Sequence, residues 1–232
     1  MYSIVPLAGP DFLLPSGKVK PLWHIQGETL IEKVITSRYW YVSGKLENEN
    51  IIFVLRKTEK TQEFIEFLQK KFPRSKYIVL SNLTNGALLS ALAGVSLIKN
   101  FNAPVCIDLA DIMFDCHKCP LEVMQGCGYD GLVPFFESQN SKFSYVQIEG
   151  ECIKNIREKE VISNNASAGV YFFKNVSTFL EASAGSFLIS DEISYKGSMF
   201  LAPSYNALLK KSCNIAAMRV KNVQEFSTTF YE

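Results

Sequence analysis

Glycines and lysines near the start of the chain could bind an anion. An apolar run begins at residue 3, ends at Gly9, and leads into a loop that carries Gly17, Lys18 and Lys20. Glycine lets backbone N–H groups approach an anion closely, and a lysine ammonium supplies a point charge to phosphate oxygens. The pattern therefore indicates a strand that feeds a phosphate-facing loop.

A second candidate group is Asp111, which follows an apolar run over residues 104–109, with Asp108 and Asp115 close in sequence. A carboxylate after a buried strand can hold Mg²⁺, which keeps part of its water and binds substrate phosphates through one or two carboxylates. The competing interpretation of Asp111 is a turn or helix-cap residue.

Strands and helices alternate over the first half of the chain. The expected strands are residues 4–8, 51–55, 77–80 and 104–109, and the expected helices follow Thr29, span residues 61–72, and follow the turn at Asn85 and Gly86. The first helix presents Leu30, Ile31, Val34, Ile35 and Tyr39 at helical spacing. This alternation predicts a parallel sheet with helices on both faces.

The second half of the chain indicates strands separated by polar turns. We expect strands at residues 132–136, 144–148, 168–173 and 218–220, a short helix from Thr178 and a longer one over residues 202–211. In an open parallel sheet, ligands bind beyond the carboxyl ends of the strands. The loop after the first strand, the turn at residues 84–86 and Asp111 should therefore lie together.

Composition limits the function classes. The chain has 232 residues, 47% of them hydrophobic, and a formal net charge of +1. We expect a single domain over residues 1–232, and the near-neutral charge argues against nucleic-acid or anionic-membrane partners. The sequence has no long apolar run or signal peptide and six cysteines expected to be reduced, which favours a cytoplasmic location. Exposed aromatic rings at Trp40, Tyr41 and Phe179 would suggest a homodimer.

A zinc site is the competing interpretation of residues 116–127. Cys116, His117, Cys119 and Cys127 offer the side-chain types that zinc prefers. A second well-spaced pair is missing, however, and the adjacent Cys116 and His117 could not easily share one tetrahedron. Loop thiols are the favoured interpretation.

Several short segments, in their order along the chain, are more informative about function than any single motif. These segments are Leu7-Ala8-Gly9 with Lys20-Pro21-Leu22, Gly27-Glu28-Thr29-Leu30-Ile31, Thr84-Asn85-Gly86-Ala87, Leu109-Ala110-Asp111, Glu158-Lys159, residues 166–173 and residues 200–206. Together they resemble the sugar-phosphate nucleotidyltransferases, also called nucleoside-diphosphate-sugar pyrophosphorylases, over most of the chain.

The resemblance implies a GT-A/Rossmann-like α/β fold with a mixed, mostly parallel sheet and helices on both faces. It also implies that a nucleoside triphosphate and a phosphorylated small molecule, for surface polysaccharide synthesis, react with release of pyrophosphate. The implied catalytic residues are Lys20 on the phosphates, Asp111 on Mg²⁺ and Lys159 on the substrate phosphate. The implied binding residues are Leu7, Ala8, Gly9, Lys18, Thr84, Gly86 (beside the base), Glu158 (on sugar hydroxyls) and Gly169.

Two alternatives stay open. The family motif continues with glycines and an arginine, whereas Pro10 and Asp11 follow Gly9 here. Proline lacks a backbone donor, and Asp11 brings negative charge to the loop, so a catalytically degenerate nucleotide-binding relative is one alternative. The other is a glycosyltransferase of the same fold that uses Asp108 and Asp111 as its metal pair.

Overall fold

The computed structural model describes residues 1–226 and shows a mixed α/β fold. Its strands are β1 (Tyr2–Leu7), β2 (His24–Ile25), β3 (Glu28–Thr29), β4 (Ile51–Arg56), β5 (Lys76–Leu80), β6 (Val105–Asp108), β7 (Ile112–Asp115), β8 (Gly131–Glu137), β9 (Ser144–Glu149), β10 (Cys152–Glu158), β11 (Asn165–Ser167), β12 (Val170–Phe173), β13 (Ile215–Arg219) and β14 (Lys221–Glu225). Its α-helices are α1 (Leu30–Ser37), α2 (Tyr39–Val42), α3 (Thr61–Lys71), α4 (Ala87–Val95), α5 (Pro120–Gly126), α6 (Val176–Leu188), α7 (Ser190–Ile193) and α8 (Tyr205–Leu209).

Ten strands form one sheet in the order β11-β9-β10-β13-β8-β12-β6-β1-β4-β5. Because β11 also pairs with β8, the strands β8, β13, β10, β9 and β11 close into a five-stranded barrel. Parallel pairing joins β6, β1, β4 and β5 in series and joins β8 to β13. The remaining pairings of this sheet are antiparallel, which corrects the expectation of a mostly parallel sheet. Short turns connect several second-half strands, and short turns favour antiparallel neighbours.

Helices cover both faces of the parallel part of the sheet, as predicted. Side chains alternate along β4, so that Phe53 packs with α1 and α3 on one face. Ile52 and Val54 pack with α4 on the opposite face. Both faces are therefore buried, which is why residues 51–55 read as a continuous apolar run.

Several predicted elements need correction. The helix after Thr29 ends at Ser37, and Tyr39 begins a separate turn with its ring exposed. The short helix expected from Thr178 is the long helix α6, which begins at Val176. It begins there because the Asn175 side chain accepts a hydrogen bond of 2.8 Å from the Thr178 N–H and caps the helix. The helix expected over residues 202–211 is a 3₁₀ turn followed by the short α8. The last predicted strand, residues 218–220, begins earlier, as β13, and β14 follows it.

Two of the three aromatic side chains invoked for a dimer are not on the surface. Trp40 and Phe179 are fully buried, and Tyr41 is half-buried. These aromatic rings therefore give no support to a homodimer. No helix within residues 1–226 combines the length and the apolar character needed to cross a bilayer.

Candidate functional site

Two adjacent cavities lie beyond the carboxyl ends of β1 and β6. The larger has a volume of about 570 Å³ and the smaller about 230 Å³. Both are lined by Ala87, Leu109, Asp111 and Phe200, so these side chains form the wall between them. The arrangement provides space for two ligands that meet at Asp111.

Most of the predicted site residues line these cavities. The larger cavity is lined by Leu7, Ala8, Gly9, Lys20, Thr84, Gly86, Asp111 and Lys159. The smaller cavity is lined by Asp111, Glu158 and Gly169.

Lys18 is the exception and lines neither cavity. It is exposed at a tight turn in which the Leu14 N–H donates to the Lys18 carbonyl at 3.0 Å, and Gly17 occupies the same turn. The structure therefore removes Gly17 and Lys18 from the expected phosphate-facing group.

The loop after β1 is built differently from a glycine-rich cradle. Residues Pro10–Phe12 form a 3₁₀ turn, and Lys20 begins a second one. The Lys20 ammonium, which is largely buried, donates a hydrogen bond of 2.8 Å to Oδ2 of the half-exposed Asp11. The protein's own carboxylate therefore holds the lysine that was expected to meet phosphate.

Asp111 lies in the bend between β6 and β7. The pKa of Asp111 is raised to about 6, mainly by burial; the charge of Lys20 opposes the rise, and the negative charges of Asp11 and Asp108 add to it. Its carboxylate accepts no hydrogen bond from residues 1–226. A desolvated carboxylate at a cavity wall is a group that a cation would stabilise.

Gly169 lies beside the Asp111 carboxylate in the wall of the smaller cavity. Gly169 has a φ of +73°, and a Cβ built on it would lie 3.4 Å from Oδ1 of Asp111. Its carbonyl accepts the Leu109 N–H at 3.0 Å, which ties the start of β12 to the end of β6. At this distance an added Cβ would make only van der Waals contact with Oδ1, so the positive φ is what favours glycine at this position.

The turn at residues 84–86 is joined to the segment before α8. The Asn85 carbonyl accepts the Met199 N–H at 2.9 Å, and the Asn85 side chain donates to the Gly197 carbonyl at 2.7 Å. A Cβ on Gly86, whose φ is +115°, would lie only 2.0 Å from the Met199 carbonyl oxygen. Glycine is thus required for the approach of the protein's own backbone, and the same residue lines the larger cavity, where the base was expected.

Glu158 and Lys159 are consecutive but face different cavities. The Ser144 hydroxyl donates a hydrogen bond to Glu158, and burial raises the pKa of this carboxyl. The Lys159 ammonium lies 5.2 Å from the ring centre of Tyr195 and 5.1 Å from that of Phe200. These cation–π contacts hold Lys159 at the edge of the larger cavity.

The residues present fit a magnesium ion that is shared with a substrate. Within residues 1–226, no group of three or more His, Cys, Asp and Glu side chains is arranged to hold a metal by itself. Mg²⁺, however, is held in phosphate-transfer sites by one or two carboxylates together with substrate phosphates and water. The unpaired Asp111 carboxylate provides such a ligand, whereas Asp108 is buried, bonded to Arg38, and absent from both cavity walls.

Sequence reasoning missed three contributors to the site. It identified Asp11 as a disturbing charge but not as the partner of Lys20, and it did not single out Arg38 or Tyr195. Arg38 carried little signal, because its partner Asp108 lies 70 residues further along the chain and is brought to it only by folding. Tyr195 carried none, because only the folded chain brings it to Lys159.

The fold matches solved structures over nearly its whole length. A nucleoside-diphosphate-sugar pyrophosphorylase from Vibrio cholerae RC9 has a TM-score of 0.80 at 21% identity, covering 96% of this chain and 94% of that one. An inositol-1-phosphate CTP transferase from T. maritima has a TM-score of 0.73 at 12% identity, covering 100% and 91%. A UDP-glucose pyrophosphorylase complexed with UDP-glucose has a TM-score of 0.66 at 19% identity, covering 95% and 91%.

The sequence matches no protein-family model and no curated protein. At identities this low, the structural matches show that the chain has the fold of these nucleotidyltransferases. Residue roles have to be argued from the two cavities of this chain.

Proposed function

We propose that this chain is a nucleotidyltransferase that joins a nucleoside triphosphate to a phosphorylated sugar or related phospho-compound and releases pyrophosphate. The observation that carries the proposal is the pair of adjacent cavities that share the Asp111 carboxylate, with Lys20 and Lys159 on the larger one. The fold shared with nucleotidyltransferases supports the same reaction class.

The proposed reaction needs two substrates placed in line. A phosphate oxygen of the second substrate attacks the α-phosphorus of the triphosphate, a new P–O bond forms, and the bond to the β-phosphate oxygen breaks. The released pyrophosphate carries the departing negative charge. The protein contributes mainly positioning and charge stabilisation to such a transfer.

Each lysine has a role in this proposal. Lys20 is the buried cation on the larger cavity and stabilises the triphosphate once it leaves Asp11. Lys159 also lines the larger cavity, and in this proposal it stabilises the attacking phosphate where that group reaches the triphosphate. Lys20 would give up its ion pair with Asp11, and Lys159 its contacts with the rings of Tyr195 and Phe200. Each lysine would gain a charge-assisted hydrogen bond to phosphate.

Glu158 and Gly169 face the smaller cavity, which we assign to the second substrate. Glu158 accepts hydrogen bonds from substrate hydroxyls there, and Gly169 lies beside the Asp111 carboxylate. Asp111 would hold Mg²⁺, which when bound neutralises phosphate charge and orients the oxygens. We also propose that residues 1–232 act as one domain in the synthesis of a surface-polysaccharide precursor.

The test is a screen of nucleoside triphosphates against phosphorylated sugars and alcohols that measures pyrophosphate. At least one pair should give Mg²⁺-dependent release that is lost in both Lys20→Ala and Asp111→Ala. If no pair turns over, or if both variants keep the wild-type rate, the proposal is wrong.

The contact between Lys20 and Asp11 favours one second candidate, a nucleotide-binding relative without catalysis. In this candidate the carboxylate permanently neutralises the lysine on the larger cavity. Calorimetry that finds tight nucleotide binding without turnover would support it, and robust turnover would exclude it. The glycosyltransferase alternative lacks such support, because Asp108 is bonded to Arg38 and does not face a cavity.

A further inference from the structure

Arg38 and Asp108 form a buried ion pair behind the cavity wall. Arg38 donates from Nε to Oδ2 and from Nη2 to Oδ1 of Asp108, both at 2.8 Å, and the two side chains are 1% and 2% exposed. The guanidinium also lies 4.5 Å from the ring centre of Phe114 and 5.6 Å from that of Trp40. The pair thus joins the bend after α1 to the end of β6.

The same Asp108 carboxylate holds the turn that carries Asp111. Its Oδ1 accepts a hydrogen bond of 2.9 Å from the Ala110 N–H. Ala110 has a φ of +55°, in the left-handed region that is unfavourable for a residue with a Cβ. Asp111 follows directly, so the direction of its carboxylate depends on this turn.

We propose that Arg38 and Asp108 are positioning residues for Asp111. Arg38 fixes the Asp108 carboxylate with two bonds, and Asp108 holds the Ala110 N–H so that the turn keeps its left-handed conformation. The Asp111 carboxylate is then presented to the wall between the two cavities. The inference rests on the proposed function, in which Asp111 is the carboxylate that meets the metal–nucleotide complex.

A purely structural role accounts less well for the pair. A buried ion pair can be replaced by apolar side chains of similar volume with little loss of stability, so burial alone does not require these charges. The bond from Ala110 to Asp108 is the feature that apolar replacements could not reproduce. Because a glycine at position 110 would adopt the same φ without strain, it should make the pair dispensable.

Two matched double variants separate the roles. Arg38→Met with Asp108→Asn removes the ion pair but keeps a carbonyl oxygen for the Ala110 N–H. Arg38→Met with Asp108→Leu removes both, and Ala110→Gly is then added to it. For each folded variant, calorimetry gives the ratio of nucleotide affinity with Mn²⁺ to that with EDTA, using UTP, CTP, dTTP, ATP and GTP in turn. Melting temperatures monitor the fold.

The Asn pair should keep the wild-type ratio, the Leu pair should lower it by about tenfold or more, and Ala110→Gly should restore it. Equal ratios in the two pairs, or no recovery with Ala110→Gly, would overturn the inference. If the Leu pair does not fold, Arg38→Met with Asp108→Val replaces it, because valine also removes the acceptor of the Ala110 N–H and suits a strand end. The same loss and the same recovery with Ala110→Gly are expected, and an unchanged ratio overturns the inference. If the wild-type affinity does not depend on Mn²⁺, the proposed function fails at Asp111 and the inference fails with it.

Discussion

Nζ of Lys20 lies 2.8 Å from Oδ2 of Asp11. The contact places an anionic side chain where a triphosphate is proposed to bind, so protein and substrate compete for the same ammonium. Asp11→Asn removes the competing charge and should tighten nucleotide binding by about 3-fold to 10-fold at low salt. The effect should be modest because the Asp11 carboxylate is half-exposed and solvent weakens its ion pair. Calorimetric titration measures this, with Glu59→Gln, an exposed carboxylate away from both cavities, as the control. Weaker binding in Asp11→Asn would show that Asp11 assists the site instead.

Two lysines of the same loop should differ sharply. Lys20 lines the larger cavity, whereas Lys18 is exposed and lines neither cavity. Lys20→Ala should lower kcat/KM by about 100-fold, because the buried cation proposed to stabilise the reacting phosphates is lost. Lys18→Ala, which removes the same charge from the same loop, should stay close to the wild-type value. Equal losses in the two variants would indicate a general effect of loop charge.

Asp111 should make stability depend on pH. Its folded pKa of about 6 lies above the ordinary value of 3.8, so its contribution to stability is complete below pH 3.8 and is lost as the pH rises through 6. In EDTA, Asp111→Asn should therefore be more stable than wild type at pH 8, by up to about 3 kcal/mol, but not at pH 4. Denaturant unfolding at both pH values measures this. The exposed Asp115→Asn is the control, and a gap independent of pH would contradict the prediction.

Gly86 should tolerate no side chain. A Cβ there would lie 2.0 Å from the Met199 carbonyl oxygen, whereas a Cβ at Gly17 would meet nothing within 4 Å, although φ is positive at both residues. Gly86→Ala should lower the free energy of unfolding by about 3 kcal/mol or more, because backbone has to move. Gly17→Ala should lower it by about 1 kcal/mol, from backbone strain alone. Similar losses would mean that the turn at residues 84–86 adapts.

Glu158 should affect the second substrate and not the nucleotide. It faces the smaller cavity and accepts a hydrogen bond from Ser144. Glu158→Gln should raise the KM of the phosphorylated partner by about tenfold, because a charged acceptor is lost, and leave nucleotide affinity unchanged. Steady-state kinetics with each substrate varied in turn measures the two effects. Glu149→Gln, on the exposed end of β9, is the control, and a change in nucleotide affinity would contradict the assignment.

Local patterns in the sequence predicted the parallel strands in the first half of the chain. Residues 51–55 form a central parallel strand because both of its faces are buried, and the apolar run shows this directly. By contrast, β10 (Cys152–Glu158) has two buried isoleucines three positions apart among polar and charged residues, which is not a strand pattern, and it was not predicted. The closure of β11 on β8 depends on pairing between distant residues, which no local pattern records.

The site was predictable to a similar extent. Lys20 and Asp111 were found because they follow strands whose carboxyl ends meet at one edge of the sheet. The left-handed turn at Ala110 was not found, because alanine gives no sign of a positive φ. Its cause, the bond to Asp108, appears only after the chain has folded.

Asp111 lies in the wall between two cavities that come from different parts of the fold. The larger cavity is built mainly by loops of the parallel strands, whereas barrel strands β9 and β10 and the loop beside them contribute Ser144, Glu158 and Lys142 to the smaller one. If the proposed function holds, substitutions on the barrel should therefore alter the choice of second substrate and leave the larger cavity unchanged. Asp111 lines both cavities, so its side chain has to suit both of them. Divergence of such a protein toward new products should proceed through the barrel and leave this carboxylate fixed.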